Sequence, residues 1–171
     1  MKTIFFSLVM VLLLGVGCSD TTNKVKKSSG SLEEKIKEHY TNDAIDTLQT
    51  TKFYVPVYSE IYSSSENMKI PLTITLSVRN TSTTEKNYIR TVAYYNTHGK
   101  EIKHYLEKPI VLNPLETMDF VVEEKDKEGG TGANFLIEGN FKNTVPVIQA
   151  VMIGTLNQQG ISYLTEGIEV K

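Results

Sequence analysis

The segment Glu123–Asn134 (EEKDKEGGTGAN) holds the residue types best able to do chemistry. Four acidic and two basic side chains precede three glycines within four positions. Glycines accept positive φ and let backbone N–H groups line a concavity. Glu124, Asp126, Glu128 and Asn134 are hard oxygen donors of the kind calcium takes. Their spacing is not that of an EF-hand. The run Gly129–Leu136 approaches one calcium nonapeptide repeat, with Asn134 in the Asp place. Such sites form between stacked repeats, and a single copy is inadequate. No lysine follows the glycines at phosphate-loop spacing, and a dinucleotide fingerprint would need another glycine. The alternative is a flexible hairpin loop between two strands, with Gly129, Gly130 and Gly132 as its turn residues.

Other reactive side chains are scattered. His98 falls in a predicted turn, and His104 shares a strand face with Ile102 and Leu106, which favours a buried or half-exposed structural histidine. A metal site on these two would need further ligands to which nothing in the sequence points. Glu123 and Glu124 are adjacent, so on a strand they would point to opposite faces and could not share a proton. No serine sits in a nucleophile-elbow context. Nine tyrosines would suit a glycan or protein contact surface, but tyrosine is also a favoured strand residue. No catalytic residue, metal or cofactor is assigned on this reading.

The elements that must carry these residues are strands. Ile70, Leu72, Ile74, Leu76 and Val78 alternate with polar residues, as a half-buried strand requires. Phe53–Tyr62 is another, with Pro56 placing it at an edge or bulge. Tyr88–Tyr95 and Glu101–Leu106 flank Asn96–Gly99 and predict a hairpin. Asn113-Pro114-Leu115 is a turn leading into Thr117–Glu124, and Phe135, Ile137 and Phe141 mark a further strand. Val147–Thr155 is almost continuously apolar, as expected of a central strand. This pattern predicts a mainly β chain, an antiparallel β-sandwich, immunoglobulin-like or similar, over residues 53–171.

Ahead of it the composition breaks. Lys2 precedes Ile4–Val16, thirteen residues without a charge. At helical rise they span about 20 Å, short of the roughly 30 Å of a bilayer core, and so read as an export signal. Leu14-Gly15-Val16-Gly17-Cys18 resembles a bacterial lipobox ending on the chain's one cysteine, although Gly15 stands where leucine is usual. Residues 1–17 are therefore expected to be removed and Cys18 lipidated, anchoring the chain to the membrane. Ser19 lacks the Asp that signals inner-membrane retention, which favours the outer membrane in a cell with two. Residues 18–52 are read as a polar tether, with Lys24, Lys26 and Lys27, followed by a short helix over about 32–40. That helix opens with the capping box Ser31–Glu34 and is loosely docked or part of the stalk. His39 beside its apolar stripe reads as a surface residue.

The formal charge of −2 on 171 residues argues against nucleic acid as a partner. Val55–Ser59, Leu76–Thr81, Gly129–Phe135, Ala150–Thr155 and Gln158–Ser162 resemble the bacterial family of domain of unknown function 3124. The resemblance spans roughly 53–168 and implies exported or lipid-anchored proteins with no assigned activity. The expected function is a lipid-anchored, non-enzymatic envelope module that binds a protein or glycan through its glycine loop. A metal-dependent enzyme or calcium-binding module using residues 123–134 is the alternative.

Overall fold

The computed structural model describes residues 30–45, 49–141, 144–156 and 158–171. The expected signal segment, Cys18 and the polar tether up to residue 29 lie outside them. The chain runs α1 (Leu32–Glu38), β1 (Thr51–Val57), β2 (Glu60–Tyr62), β3 (Lys69–Pro71), β4 (Thr73–Arg79), β5 (Asn87–Tyr95) and β6 (Glu101–His104). It continues with β7 (Ile110–Leu112), β8 (Thr117–Val122), β9 (Ala133–Asn140), β10 (Val147–Leu156), β11 (Gln159–Glu166) and β12 (Ile168–Val170). One sheet has the order β12-β1-β9-β5-β6, with β7 also paired to β5, and the other β11-β10-β4-β8. β2 and β3 form a separate ladder, and all these pairings are antiparallel. The sandwich predicted from alternation is the observed fold.

Alternation dictates the core. Phe53, Val55 and Val57 from β1 and Phe135 and Ile137 from β9 point inward, against Ile74, Leu76 and Val78 of β4 and Met118 and Phe120 of β8. Each such side chain contributes about 1.5–3 kcal/mol when fully withdrawn from water. Two expected strands are each split where the chain changes sheet: Phe53–Tyr62 breaks at Tyr58–Ser59, and Ile70–Arg79 at Leu72. Pro56 sits where the proline rule requires. The β1–β12 register stops at Tyr54, so β1 is a local edge beyond it, and the Thr165 hydroxyl donates to the Pro56 carbonyl at 2.7 Å. Val147–Thr155 is the central strand expected of it, although its apolar run does not mean two buried faces. β10 is central within its sheet, yet only alternate residues (Ile148, Ala150, Met152) are buried, and Val147, Val151 and Ile153 face solvent. Strands β7, β11 and β12 were not anticipated.

The helix is docked. Ser31 Oγ accepts from the Glu34 N–H, and Glu34 Oε2 accepts from the Ser31 N–H, so the capping box is complete. Ile36 is part of the core cluster, with Leu32 and Tyr40 packed against it. The chain after α1 lies along β7: Thr41 N–H donates to the Pro109 carbonyl, and Val111 N–H donates to that of His39. His39 is not a free surface residue, because Nε2 contacts Glu116 Oε1 at 2.9 Å and Nδ1 contacts the Lys35 carbonyl at 2.7 Å. Glu116 Oε2 takes the Asn113 backbone and side-chain N–H groups at 2.7 and 3.0 Å. Leu115 beside it has φ 61, rare for a side chain of its size, and its N–H donates to the Ser82 carbonyl. Buried Asn80 joins the same end. Its Nδ2 reaches the carbonyls of Glu85, Leu112 and Asn113 at 2.8, 3.1 and 2.9 Å, and its Oδ1 accepts from Ser82 N–H.

Two outcomes follow from this end of the sandwich. Asn80→Ala should cost about 2–3 kcal/mol in urea unfolding. Asn80→Asp should cost more, because it keeps the shape but points an acceptor at three carbonyls; equal costs would contradict the network. The His39–Glu116 contact should be pH-dependent. Burial lowers the His39 pKa, but the Lys35 carbonyl and the Glu116 carboxylate outweigh it, and the net shift is upward. For Glu116 burial acts upward, and the Asn113 N–H and His39 outweigh it, so the net shift is downward. The histidine contribution is complete below its ordinary 6.5 and lost as pH rises through the raised value. The glutamate contribution is complete above 4.5 and lost as pH falls through the lowered value. The melting-temperature difference between the parent and His39→Gln should therefore peak between pH 4.5 and 6.5. A flat difference across pH 4–8 would show that the pair is not coupled.

Candidate functional site

The acidic and glycine-rich segment is not a hairpin loop. It carries the chain from β8 in one sheet to β9 in the other, and it is tied down on both sides. The Gly129 carbonyl accepts from both the N–H and the Oγ1 of Thr97, each at 3.0 Å, and Gly132 N–H donates back to Thr97 Oγ1 at 2.9 Å. The Gly130 carbonyl accepts from the Ser59 N–H and Oγ at 3.1 and 3.2 Å. Three loops thus lock into one rim: the β1–β2 link at Ser59, the β5–β6 turn at Thr97 and the glycine segment, which ends in a 3-10 turn over Gly130–Gly132.

The glycines serve that lock. Gly130 has φ 72, and a Cβ on Gly129 would lie 1.9 Å from the Tyr94 hydroxyl oxygen. The Gly130 and Gly132 N–H groups that could have lined an anion nest donate to Lys127 O and Thr97 Oγ1 instead. Tyr94 beneath is fully buried, and among the described residues its hydroxyl has no hydrogen-bond partner. Burial pushes the Tyr94 pKa up to about 12, the Ser59 hydroxyl acting against this and the Asp126 charge with it. Tyr105 is raised as well, by burial first and then by Tyr94 and Asp126, and its hydroxyl donates to the Val121 carbonyl.

The predicted donors are not brought together. Glu124 and Glu128 are exposed, and Asp126 Oδ1 accepts the Glu128 N–H at 3.1 Å. Glu123 pairs with Lys125 at 2.6 Å. Asn134 sits on the outer face of the larger sheet, since neighbouring Phe135 fills the interior, and its register partners are Pro56 and Tyr95. Among the described residues no group of three or more His, Cys, Asp or Glu is placed to hold a metal ion. His98 is exposed in the turn, its N–H donating to Asn96 Oδ1. His104 is exposed at the sheet edge, where Nδ1 lies 3.3 Å from Glu101 Oε1, and Tyr95 donates its hydroxyl to Glu101 Oε2 at 3.1 Å. Sequence reading missed Ser59, Thr97 and Tyr94 as the residues that build the rim. Thr97 lay in a turn identified correctly, but no periodicity reports a bond 32 residues away.

The family model with the description "Protein of unknown function (DUF3124)" matches residues 50–170. A crystal structure of Thermotoga maritima 1070 is similar at a TM-score of 0.43 and 14% identity, covering 75% of this chain and 96% of that one. No curated protein matches.

Gly129→Ala should destabilise the chain by about 2–3 kcal/mol, measured by urea unfolding. Tyr94→Phe alone should be neutral or slightly stabilising, since it removes a buried hydroxyl without a partner. Placed together, Tyr94→Phe should recover part of the Gly129→Ala loss. Simple additivity would mean that the glycine is not there for the tyrosine.

Proposed function

The chain belongs to the DUF3124 family, and from that membership we propose a lipid-anchored, extracytoplasmic, non-enzymatic module that binds an envelope component through its glycine rim. The observation that carries the reading is the lock on residues 129–132 by Ser59 and Thr97, which fixes a loop rich in charge without burying that charge. A preorganised loop loses little conformational entropy on binding. Glu123, Glu124 and Glu128 are exposed there, beside exposed His98 and Tyr58. An acidic rim of this kind suits a basic protein surface, and association should slow as salt rises.

The address rests on the charged start, the short apolar run and the junctional Cys18. Ser19 after the cysteine favours the outer membrane where there are two. Two or three acyl chains would hold the protein stably where one would not.

In intact cells the parent chain should fractionate with membranes, and intact mass should show Cys18 as an acylated N-terminus. Cys18→Ser should shift it to the soluble or unprocessed fraction. An unmodified Cys18 in the mature protein would remove the anchor from the reading. Photocrosslinking from positions 98 and 128 should yield discrete adducts, weakened by Glu124→Lys with Glu128→Lys; no adducts at either position would remove the binding role.

A further inference from the structure

Among the described residues, the outermost strands of the two larger sheets are blunted, with one exception. β7 is covered by the chain at Tyr40, which bridges to Ile110, and the Val121 carbonyl on β8 accepts the Tyr105 hydroxyl. β6 spans four residues and carries Glu101, Lys103 and His104, whereas β12 is three residues long with Glu169 at its centre. Short, charged or covered edges are how sheets avoid pairing with other chains. β11 has none of these devices. It is eight residues long (QGISYLTE), has neither lysine nor proline, and carries one charge, Glu166, at its very end. Leu164 and Tyr163 are 58% and 46% exposed. On the outer face Leu164 pairs with Val151, itself in register with Thr75, which pairs with Val121. A row that is mostly apolar therefore crosses all four strands and ends on the open edge.

We infer that β11 pairs antiparallel with β11 of a second copy of this chain, about a two-fold axis at Tyr163. The strand is self-complementary in that register. Tyr163 meets Tyr163 of the second copy, Ile161 faces Thr165, Ser162 faces Leu164, and Gly160 lies opposite Glu166. Each face of the pleat keeps its own side, so Leu164 of one copy comes diagonal to Leu164 of the other. The two Glu166 carboxylates sit six residues apart, roughly 20 Å along the strand. That is well beyond the Debye length of about 8 Å at physiological salt, so self-pairing meets little repulsion. A two-fold contact uses the open edge of both copies at once, which closes the assembly at two and turns two four-stranded sheets into one of eight. Main-chain hydrogen bonds would supply the affinity, as in other strand additions. The pairing does not depend on what the glycine rim binds.

Sedimentation of the full chain in detergent under reducing conditions should give a dimer mass. Leu164→Lys changes an exposed side chain only and should weaken dimerisation by roughly tenfold or more. Ser162→Pro should abolish it while far-UV circular dichroism reports an intact fold. Tyr163→Cys should form a disulfide-linked dimer on oxidation in membranes at higher yield than the parent, whose single cysteine is Cys18. A monomer at 100 μM, or a dimer untouched by Leu164→Lys, would overturn the inference. So would a Tyr163→Cys chain that links to a different polypeptide instead of to itself.

Discussion

The two sheets are held in one register by a column of aromatic rings. Tyr94 and Phe135 stack from adjacent strands of the larger sheet with ring centroids 4.9 Å apart, and Tyr105 bridges to Phe120 of the smaller sheet at 5.3 Å. Tyr105 also contacts Phe135 at 6.1 Å, so the four rings span the sandwich without interruption. Rings of this size dominate a small core, and their edge and tilted contacts add specificity to the area they bury. What lies above the column has to yield to it. The Tyr94 hydroxyl reaches to where a side chain on residue 129 would stand, and the chain crosses there as glycine. A core contact thus decides the local sequence of a surface loop.

The opposite end of β5 obeys a different constraint. Around Asn87 the buried residues include Asn80 and Ser82, and the Asn80 amide reaches the carbonyls of Glu85, Leu112 and Asn113, tying three loop segments together. The start of β5 thus lies beside loops tied together by the Asn80 amide, and its far end leads into Thr97, which is tied to the Gly129 carbonyl. Helix α1 closes the side between them, with Ile36 in the core and His39 on Glu116. These contacts occupy two ends and one flank. The flank left open is the β10–β11 hairpin, where the apolar residues of β10 alternate between core and solvent.

How much of this could be read from residues alone depended on the range of the interaction. Period-two alternation over 70–78 and the capping box at Ser31 are local patterns with local causes, and both are present, the strand being interrupted at Leu72. Val147–Thr155 is central as its composition implies, but a run of apolar residues does not say whether both faces are covered; here only one is. β11 is hard to read because none of its residues is fully buried, so no apolar–polar alternation marks it. His39 reads as a surface residue because its partner lies 77 residues on, joined only when β7 and β8 turn beside the helix. The glycines of the acidic segment use the freedom of φ that their type implies, but for the lock on Ser59 and Thr97 and not for a ligand.

That last difference bears on what the segment can do. A calcium site needs several oxygens drawn to one point, and the cost of crowding carboxylates is met only by the ion. Here Asp126 caps its own turn, Glu123 is neutralised by Lys125, and Asn134 belongs to another face. The backbone N–H groups are spent on the lock. The segment is left with a fixed shape and outward-facing charge. Such a surface discriminates by electrostatic complementarity and by the loops around it, and its contribution to recognition lies in orientation and encounter rate more than in a deep contact. A loop built this way is suited to meeting another large surface, because its rigidity comes from the protein's own core rather than from a ligand it must capture first.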